Sequence, residues 1–254
     1  MPRKRRSRPP LTTDAVLRAA VRVADAGGVT AVTMRNVAQE LGVEAMSLYH
    51  HVEGKKAILD GIVDLVFAEI PLRPAGEGWR AAMRHRASST RTVLLRHPWA
   101  LGMLDSRAAP GPATLRHHDA AIGALRAGGF HLATAASAIS LLDSYVYGFV
   151  LQERSLPFTS SEELGDVTDG MLARMPADTF PHLTEMIVDH ALQPGYDYAD
   201  EFAVGLELVL DALERRLGDP GTDTGPDASM TLEVPGESDR AGDRPVRHPP
   251  PRGT

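Results

Sequence analysis

Thr33-Met-Arg-Asn-Val-Ala-Gln-Glu-Leu-Gly-Val-Glu-Ala-Met-Ser-Leu-Tyr-His-His-Val52, continued by Glu53-Gly-Lys-Lys-Ala-Ile-Leu-Asp60, decides how this chain is read. Thr33 has the hydroxyl of a helix N-cap, and Val37, Ala38 and Leu41 follow at spacings that share one helical face. Gly42 ends that short helix because glycine tolerates the left-handed conformation of a C-terminal cap. A second helix is predicted from about Glu44 to His51 with Leu48 and Val52 inward, and Gly54 separates it from a longer one over Lys55–Ile70. Helices of about two turns do not hold in isolation, so the pair needs cover from the helices before and after it. Such a unit is a helix-turn-helix, whose second helix enters the DNA major groove.

The residues left facing outward suit that role. Ala45, Met46, Ser47, Tyr49, His50 and His51 form a small, polar and aromatic surface without an acidic group. Ala45 or Met46 can touch a thymine methyl, and Ser47, Tyr49 and His51 can donate to phosphates. Lys55 and Lys56 open the next helix, where their charge and the free backbone N–H groups both favour a phosphate. Arg35 lies one turn into the first helix of the pair, within reach of a base edge or the backbone, and Thr33 precedes it.

Working outward, a first helix is predicted from an N-cap at Thr12 or Thr13, with Asp14 in its first turn and Leu17, Ala20, Val21 and Ala24 buried, stopped by Gly27-Gly28. The longer helix after the pair carries Ile58, Leu59, Ile62, Val63, Leu65 and Val66, and Pro71 and Pro74 close the unit. Beyond them the periodicity predicts helices at about 78–96, 98–106, 113–127, 133–154, 181–190 and 198–217, with a loop over 155–180 that holds one short helix near 164–174. No alternating pattern persists long enough for a sheet, so the fold class is all-α: an N-terminal three-helix DNA-binding domain plus a larger helical ligand-binding and dimerisation domain.

Charge divides along the same line. Of 254 residues with a net charge of −6, residues 1–56 hold ten basic and five acidic side chains, and the remainder is at −11. Five of the six residues from Arg3 to Arg8 are basic. A polyanion-binding end on an otherwise acidic body is implied. Cysteine is absent, which excludes disulfides, thiolate metal sites and cysteine nucleophiles. Leu11-Thr-Thr-Asp14 interrupts any apolar run after the basic start, so no secretory signal is expected. Thr134–Leu151 comes nearest to a membrane span, but it is rich in Ala, Ser and Thr and contains Asp143; a buried or interface helix is expected. Residues 218–254 hold seven Pro and six Gly and no aromatic residue, a composition that does not fold. The expected domains are a disordered basic arm at 1–10, the DNA-binding domain at 11–57 with its motif at 33–52, the body at 58–217 and a disordered tail at 218–254.

The set Ala38, Leu41-Gly42-Val43, Leu48-Tyr49, Val52 and Lys55 closely resembles the DNA-binding segment of the tetracycline-repressor (TetR) family. Trp79, Leu94-Leu95-Arg96, Leu125 to Phe130 and Tyr147-Gly-Phe-Val-Leu151 follow the order of that family's tetracycline-repressor-like C-terminal subgroup. The resemblance implies an all-helical homodimer with one DNA-binding head per subunit and a body that holds an inducer. It also implies that Arg35, residues 45–47, Tyr49, His50, His51 and Lys55 contact DNA. In the subgroup, a histidine near the end of the sixth helix binds the magnesium of the drug chelate. No histidine lies between Trp99 and Arg107 here, and a carboxylate position on the eighth helix falls on Gln152, beside Glu153. Magnesium–tetracycline is therefore not the expected inducer.

For the body, Trp99, Leu101, Met103, Leu104, Leu115, Leu142, Tyr145, Phe149 and Met171 could line a pocket, and Trp99, Met103, Leu104, Tyr145 and Phe149 are the named ligand candidates. Dimerisation is assigned to helices 133–154 and 198–217, the latter through Phe202, Leu206, Val209, Leu210, Leu213 and Leu217. Gly76-Glu-Gly-Trp-Arg-Ala81 matches a nucleotide-loop pattern but follows prolines instead of a strand, and so carries no phosphate-site expectation. His182, Glu185, Asp189 and His190 could align metal ligands, though a solvated face is favoured, and His117-His118 is similarly ambiguous. No cofactor or metal is expected. The reading is a cytoplasmic, non-enzymatic repressor that binds a palindromic operator as a homodimer and is released by a small-molecule inducer; a regulator without a small ligand and a helical enzyme are the alternatives.

Overall fold

The computed structural model describes residues 10–72, 76, 78–104, 110–158, 161–175 and 179–217, and every regular element among them is helical. The basic arm and the proline-rich tail lie outside the described residues.

Helix α1 spans Thr13–Gly27, and the Thr12 side chain caps it by accepting from the Ala15 N–H at 3.1 Å. Its inward stripe is Val16, Ala19, Ala20 and Ala24, turned by about one residue from the expected one; Leu17 and Val21 are only half-buried on its flank. The alanines let a neighbouring helix come closer than leucine would. Gly28 ends α1 at φ 74°, and a 3-10 turn over Val29–Ala31 leads to α2, Met34–Leu41. Thr33 Oγ accepts from the Asn36 N–H at 3.1 Å, and Gly42 ends α2 in the left-handed region at φ 61°, both as the sequence requires. Helix α3 is shorter than expected, a single turn over Ala45–Leu48, followed by tight turns whose amides at His51 and Val52 still bond to the Leu48 carbonyl.

Helix α4, Lys55–Ala68, ends two residues before the expected limit. It serves two cores. Ile58 and Ile62 close the cluster formed with α1, α2 and Leu48, and Val63, Val66 and Phe67 enter the larger cluster of the body. The body is built from α5 (Trp79–Arg96), a 3-10 segment (Pro98–Met103) in place of the longer helix that periodicity predicts, α6 (Pro112–Ala127), α7 (Leu132–Ser155), α8 (Ser161–Leu172), α9 (Pro181–Met186) and α10 (Tyr198–Leu217). After α9 the chain widens into a π-type turn over Ile187–Ala191 instead of continuing as an α-helix.

Helix α7 is long and apolar enough to cross a membrane by length and composition. It is instead the central helix of the body: Ala135, Ala138, Ile139, Leu142, Val146, Phe149 and Val150 are buried, and Asp143 pairs with Arg86 of α5. Helix α10 uses Phe202, Leu206, Leu210 and Leu213 for its own chain's core, so the stripe assigned to dimerisation faces inward. Its outward apolar residues are Val204 and Leu208, at 58% and 66% exposure.

Candidate nucleic-acid interface and ligand cavity

The head presents α3 by anchoring its opposite side. Leu48 is fully buried, whereas Met46 and Tyr49 are 73% and 51% exposed. Met46, Tyr49 and His50 recur at i, i+3 and i+4, so the exposed side chains share one face of that turn. Ala45, Ser47 and His51 are half-buried beside them, and Arg35, Lys55 and Lys56 are exposed on α2 and α4. The Thr33 hydroxyl is occupied as the α2 cap. Three further contacts brace this frame: Thr13 Oγ1 donates to the His51 carbonyl at 2.9 Å, Asn36 Nδ2 to the Ala31 carbonyl at 2.7 Å, and Arg22 pairs with Glu40 across α1 and α2 at 2.7 Å. The Thr13 bond ties the turn after α3 to the start of α1. Nothing in the sequence pattern marks it, because it joins residues 38 positions apart.

The body contains a cavity of about 650 Å³ between α5 and α6, lined by Trp79, Ala82, Met83, His85, Arg86, His117, Ala120, Gly123 and Ala124, and closed at one end by Pro71, Leu72, Gly76 and Gly78. This lies within the 300–1,000 Å³ typical of small-molecule sites. Trp79 is braced edge-on against Phe130, with ring centroids 4.8 Å apart. Burial, followed by the nearby Arg86 charge, lowers the His117 pKa and favours its neutral imidazole. Arg86 is itself buried and bound through both terminal nitrogens to Asp143, so its charge is compensated inside the chain.

None of the five residues named from sequence as ligand candidates lines this cavity. Trp99 donates its indole N–H to Asp25 of α1 at 2.7 Å, and packs against both cores. Met103 and Leu104 pack on the outside of the body cluster. Tyr145 donates to the Phe202 carbonyl at 2.9 Å, and its ring joins Phe149 and Phe202 in an aromatic stack, with the Arg91 guanidinium 4.9 Å from the Phe202 centroid. Leu142 is core, and Leu115 and Met171 face outward at 56% and 43% exposure. His117, one of the two ambiguous histidines, is the one turned to the cavity; its partner His118 hydrogen-bonds the Thr114 carbonyl at 3.0 Å. The glycines of the discounted nucleotide pattern, Gly76 and Gly78, both have positive φ and lie at the cavity end.

Gln152 accepts from the Tyr198 hydroxyl at 3.0 Å, and Glu153 is held in two hydrogen bonds by Arg91. On the 182–190 face, His182 stands 3.9 Å from Glu185 in the open, while His190 turns to Glu201 of α10 at 2.7 Å. His190 lies within the π-type turn, and no group of three metal-ligating side chains converges among the described residues.

Among the described residues, two polar joints connect head and body. In one, His97 Nδ1 and the Trp99 indole both stand 2.7 Å from Asp25 Oδ1, and His97 Nε2 is 3.2 Å from Glu69. In the other, Asp64 of α4 accepts from the backbone N–H groups of Ala113 and Thr114 at the start of α6.

Comparison with known proteins agrees with both halves of this architecture. Residues 16–62 match the family described as bacterial regulatory proteins, tetR family, and residues 70–217 match the tetracyclin repressor-like C-terminal domain. The chain is 34% identical over 217 residues to the HTH-type transcriptional repressor DrrR1 of Streptomyces coeruleorubidus, covering 82% of this chain and 78% of that protein. It is 28% identical over 211 residues to the class A tetracycline repressor protein from transposon 1721 of Escherichia coli, covering 81% and 92%. Among solved structures, the TetR family protein ActR of Streptomyces coelicolor, in complex with actinorhodin, aligns with a TM-score of 0.70 at 28% identity, covering 84% of this chain and 99% of that one. The family's members are DNA-binding regulators, not enzymes. With an exposed turn on the head and a helical body that has a cavity between α5 and α6, this chain belongs to the tetR family of bacterial regulatory proteins and is a ligand-responsive DNA-binding repressor.

Proposed function

We propose that two copies of this chain bind a palindromic operator with α3 of each head in the major groove, and that a small molecule in the α5–α6 cavity releases them. The observation that carries the operator reading is the exposure of Met46 and Tyr49 over a fully buried Leu48: large apolar side chains held in solvent on a braced turn have no core role there. Ala45 and Met46 then meet base edges, Arg35 reaches a base or the backbone, and Thr33, Ser47, Tyr49, His50, His51, Lys55 and Lys56 meet the backbone. The arm Arg3 to Arg8 lies on phosphates or in a minor groove.

A homodimer is supported by outward apolar residues on the two helices expected to mediate it: Leu141 and Leu151 on α7 and Val204 and Leu208 on α10. A face-to-face pair of these helices from each subunit spaces the heads by about one DNA turn, ~34 to 36 Å. The repressor works in the cytoplasm, where its operator is, and performs no catalysis. Release follows from a shift in population: the inducer favours a head spacing that no longer fits the operator, with a coupling of typically ~1 to 3 kcal/mol.

The test is electrophoretic and sedimentation analysis of the purified protein with DNA flanking its own coding region, followed by a compound screen that begins with actinorhodin. A dimer bound to one palindromic segment and released by a compound is the expected result. A monomer at micromolar concentration, or a compound that binds the body tightly and leaves operator affinity unchanged, would overturn the corresponding part.

A further inference from the structure

We propose that Asp64 is the joint through which occupancy of the cavity reaches the DNA-binding head, an inference that rests on the reading of that cavity as the inducer site. Helix α6 begins with Gly111 as N-cap and Pro112 behind it, so it has no side chain of its own to satisfy its first amides. Asp64 of α4 supplies the missing cap from another helix. Its carboxylate accepts from the Ala113 N–H at 3.2 Å, the Thr114 N–H at 2.9 Å and the Thr114 hydroxyl at 3.0 Å. A carboxylate at a helix N-terminus is held by charge-assisted bonds and by the helix dipole together.

The close approach has a sequence requirement. A methyl group at residue 111 would collide with the Asp64 carboxylate. The backbone there is extended, at φ −77° and ψ 173°, a conformation open to any residue, so glycine is needed for the contact alone.

The position of this joint gives it a role beyond stability. Asp64 lies two residues beyond Ile62, the last α4 residue in the head core, and one beyond Val63, the first in the body core. On the other side, α6 continues from Thr114 to His117, Ala120, Gly123 and Ala124, which form a wall of the cavity. The His117 ring also packs against Phe67 of α4, with ring centroids 6.1 Å apart. A molecule that pushes on the α6 wall therefore moves the amides to which α4 is bonded. The second head–body joint, Asp25 with His97 and Trp99, includes no cavity-lining residue.

The test needs no inducer. Gly123 lines the cavity and has open space around an added side chain, so Gly123→Phe fills the cavity from its own wall. Hydrogen–deuterium exchange is measured on the full-length protein with and without this substitution, in three backgrounds: Asp64 retained, Asp64→Ala and Asp64→Asn. With Asp64 retained, filling the cavity changes exchange in the first turn of α6 and in α1–α3 by about threefold or more. With Asp64→Ala the α6 change persists and the head response disappears; Asp64→Asn, which keeps one acceptor oxygen, restores part of it. Gly111→Ala uncouples the head as Asp64→Ala does. A head response of equal size with Asp64 retained and with Asp64→Ala overturns the proposal, as does a filled cavity that leaves the head unchanged when Asp64 is present. If Asp64→Ala destabilises the head, the comparison is read from Asp64→Asn, where an undiminished response counts against the joint. A failed inducer screen would remove the ligand reading and leave this exchange comparison standing.

Discussion

The eleven buried residues of the head core are all aliphatic, from Val16 on α1 to Ile62 on α4, whereas the body buries Arg86, Thr90, His97, Thr114, His117 and Thr168 among its apolar residues and four phenylalanines. Among the described residues, no polar side chain is buried in the head. A wholly aliphatic core leaves the polar chemistry of the head on the outside, where DNA can meet it. The body does the opposite: it carries compensated charges inward and leaves an open cavity between α5 and α6.

The sharpest way to break this comparison is to remove one partner of the Arg86–Asp143 pair, whose side chains are 10% and 14% exposed. Arg86→Met leaves a buried carboxylate unpaired and is expected to cost about 3 to 5 kcal/mol, whereas replacing both partners with apolar residues recovers most of that loss. Denaturant unfolding of the single and double variants measures it; equal stability of all three proteins would mean that water reaches the pair. The corresponding change in the head is Leu48→Ala. It removes a fully buried side chain from a core with no polar group to compensate, at a cost of about 2 to 5 kcal/mol, and abolishes operator binding while the body keeps its helicity by circular dichroism.

Exposed head residues should behave differently. Met46→Ala leaves stability within about 0.5 kcal/mol and weakens operator binding by about 1 to 3 kcal/mol for a base that is no longer read, whereas Tyr49→Ala, at a backbone contact, leaves stability equally unchanged and lowers affinity across all sequences. Lys55→Ala and Lys56→Ala lower affinity across all sequences and reduce the salt slope by about 0.9 for each phosphate released. Titrations over a range of salt concentrations distinguish the two kinds of contact. Unaltered affinity in Met46→Ala would remove Met46 from the base-reading surface.

The head was legible because its signals are local. Thr33, Gly42 and Gly54 act on the turn they occupy, and the inward spacing of Val37, Ala38, Leu48 and Val52 survives without knowledge of any distant partner. The one-residue rotation of α1 shows the limit: Leu17 and Val21 fit the same apolar stripe as Val16 and Ala19, and only close packing against α2 and α4 selects the smaller pair. In the body, the long helices α5, α6, α7 and α10 lie where periodicity places them, whereas the segments after α5 and α9 do not continue as α-helix. Helix α10 has apolar residues on two sides, and sequence periodicity does not say whether Phe202 or Val204 turns to its own core. The cavity was missed because its lining is drawn from several helices and mixes small residues with isolated polar ones. Arg86, His117, Ala120 and Gly123 look like an ordinary solvated face, whereas the conspicuous aromatics Tyr145 and Phe149 are used to pack α7 on α10. Trp99, also conspicuous, joins head to body through Asp25. A void is a property of what neighbouring helices leave unfilled, and no single helix encodes it.

The smallest expected effect belongs to His117, and it isolates the cost of keeping a titratable group inside the body. Burial lowers its pKa from the ordinary 6.5, and the Arg86 charge, with smaller contributions from His118 and Arg116, acts in the same direction; the hydrogen bond to Ile70 opposes them. The unfolded chain therefore takes up a proton at a higher pH than the folded chain does. Stability from this group is complete above about pH 6.5 and declines as the pH falls through that value, continuing until the folded protein itself binds the proton. One group contributes a slope of at most about 1.4 kcal/mol per pH unit. Thermal unfolding between about pH 7.5 and pH 5 should show a shallower acid decline for His117→Gln than for the natural chain, with the difference vanishing above about pH 7. The aliphatic head core contains no such group, so Val37→Ala, made in parallel, should lower the melting temperature by the same amount at every pH in that range. Parallel curves for His117→Gln and the natural chain would mean that the imidazole titrates as freely in the folded body as in the unfolded chain.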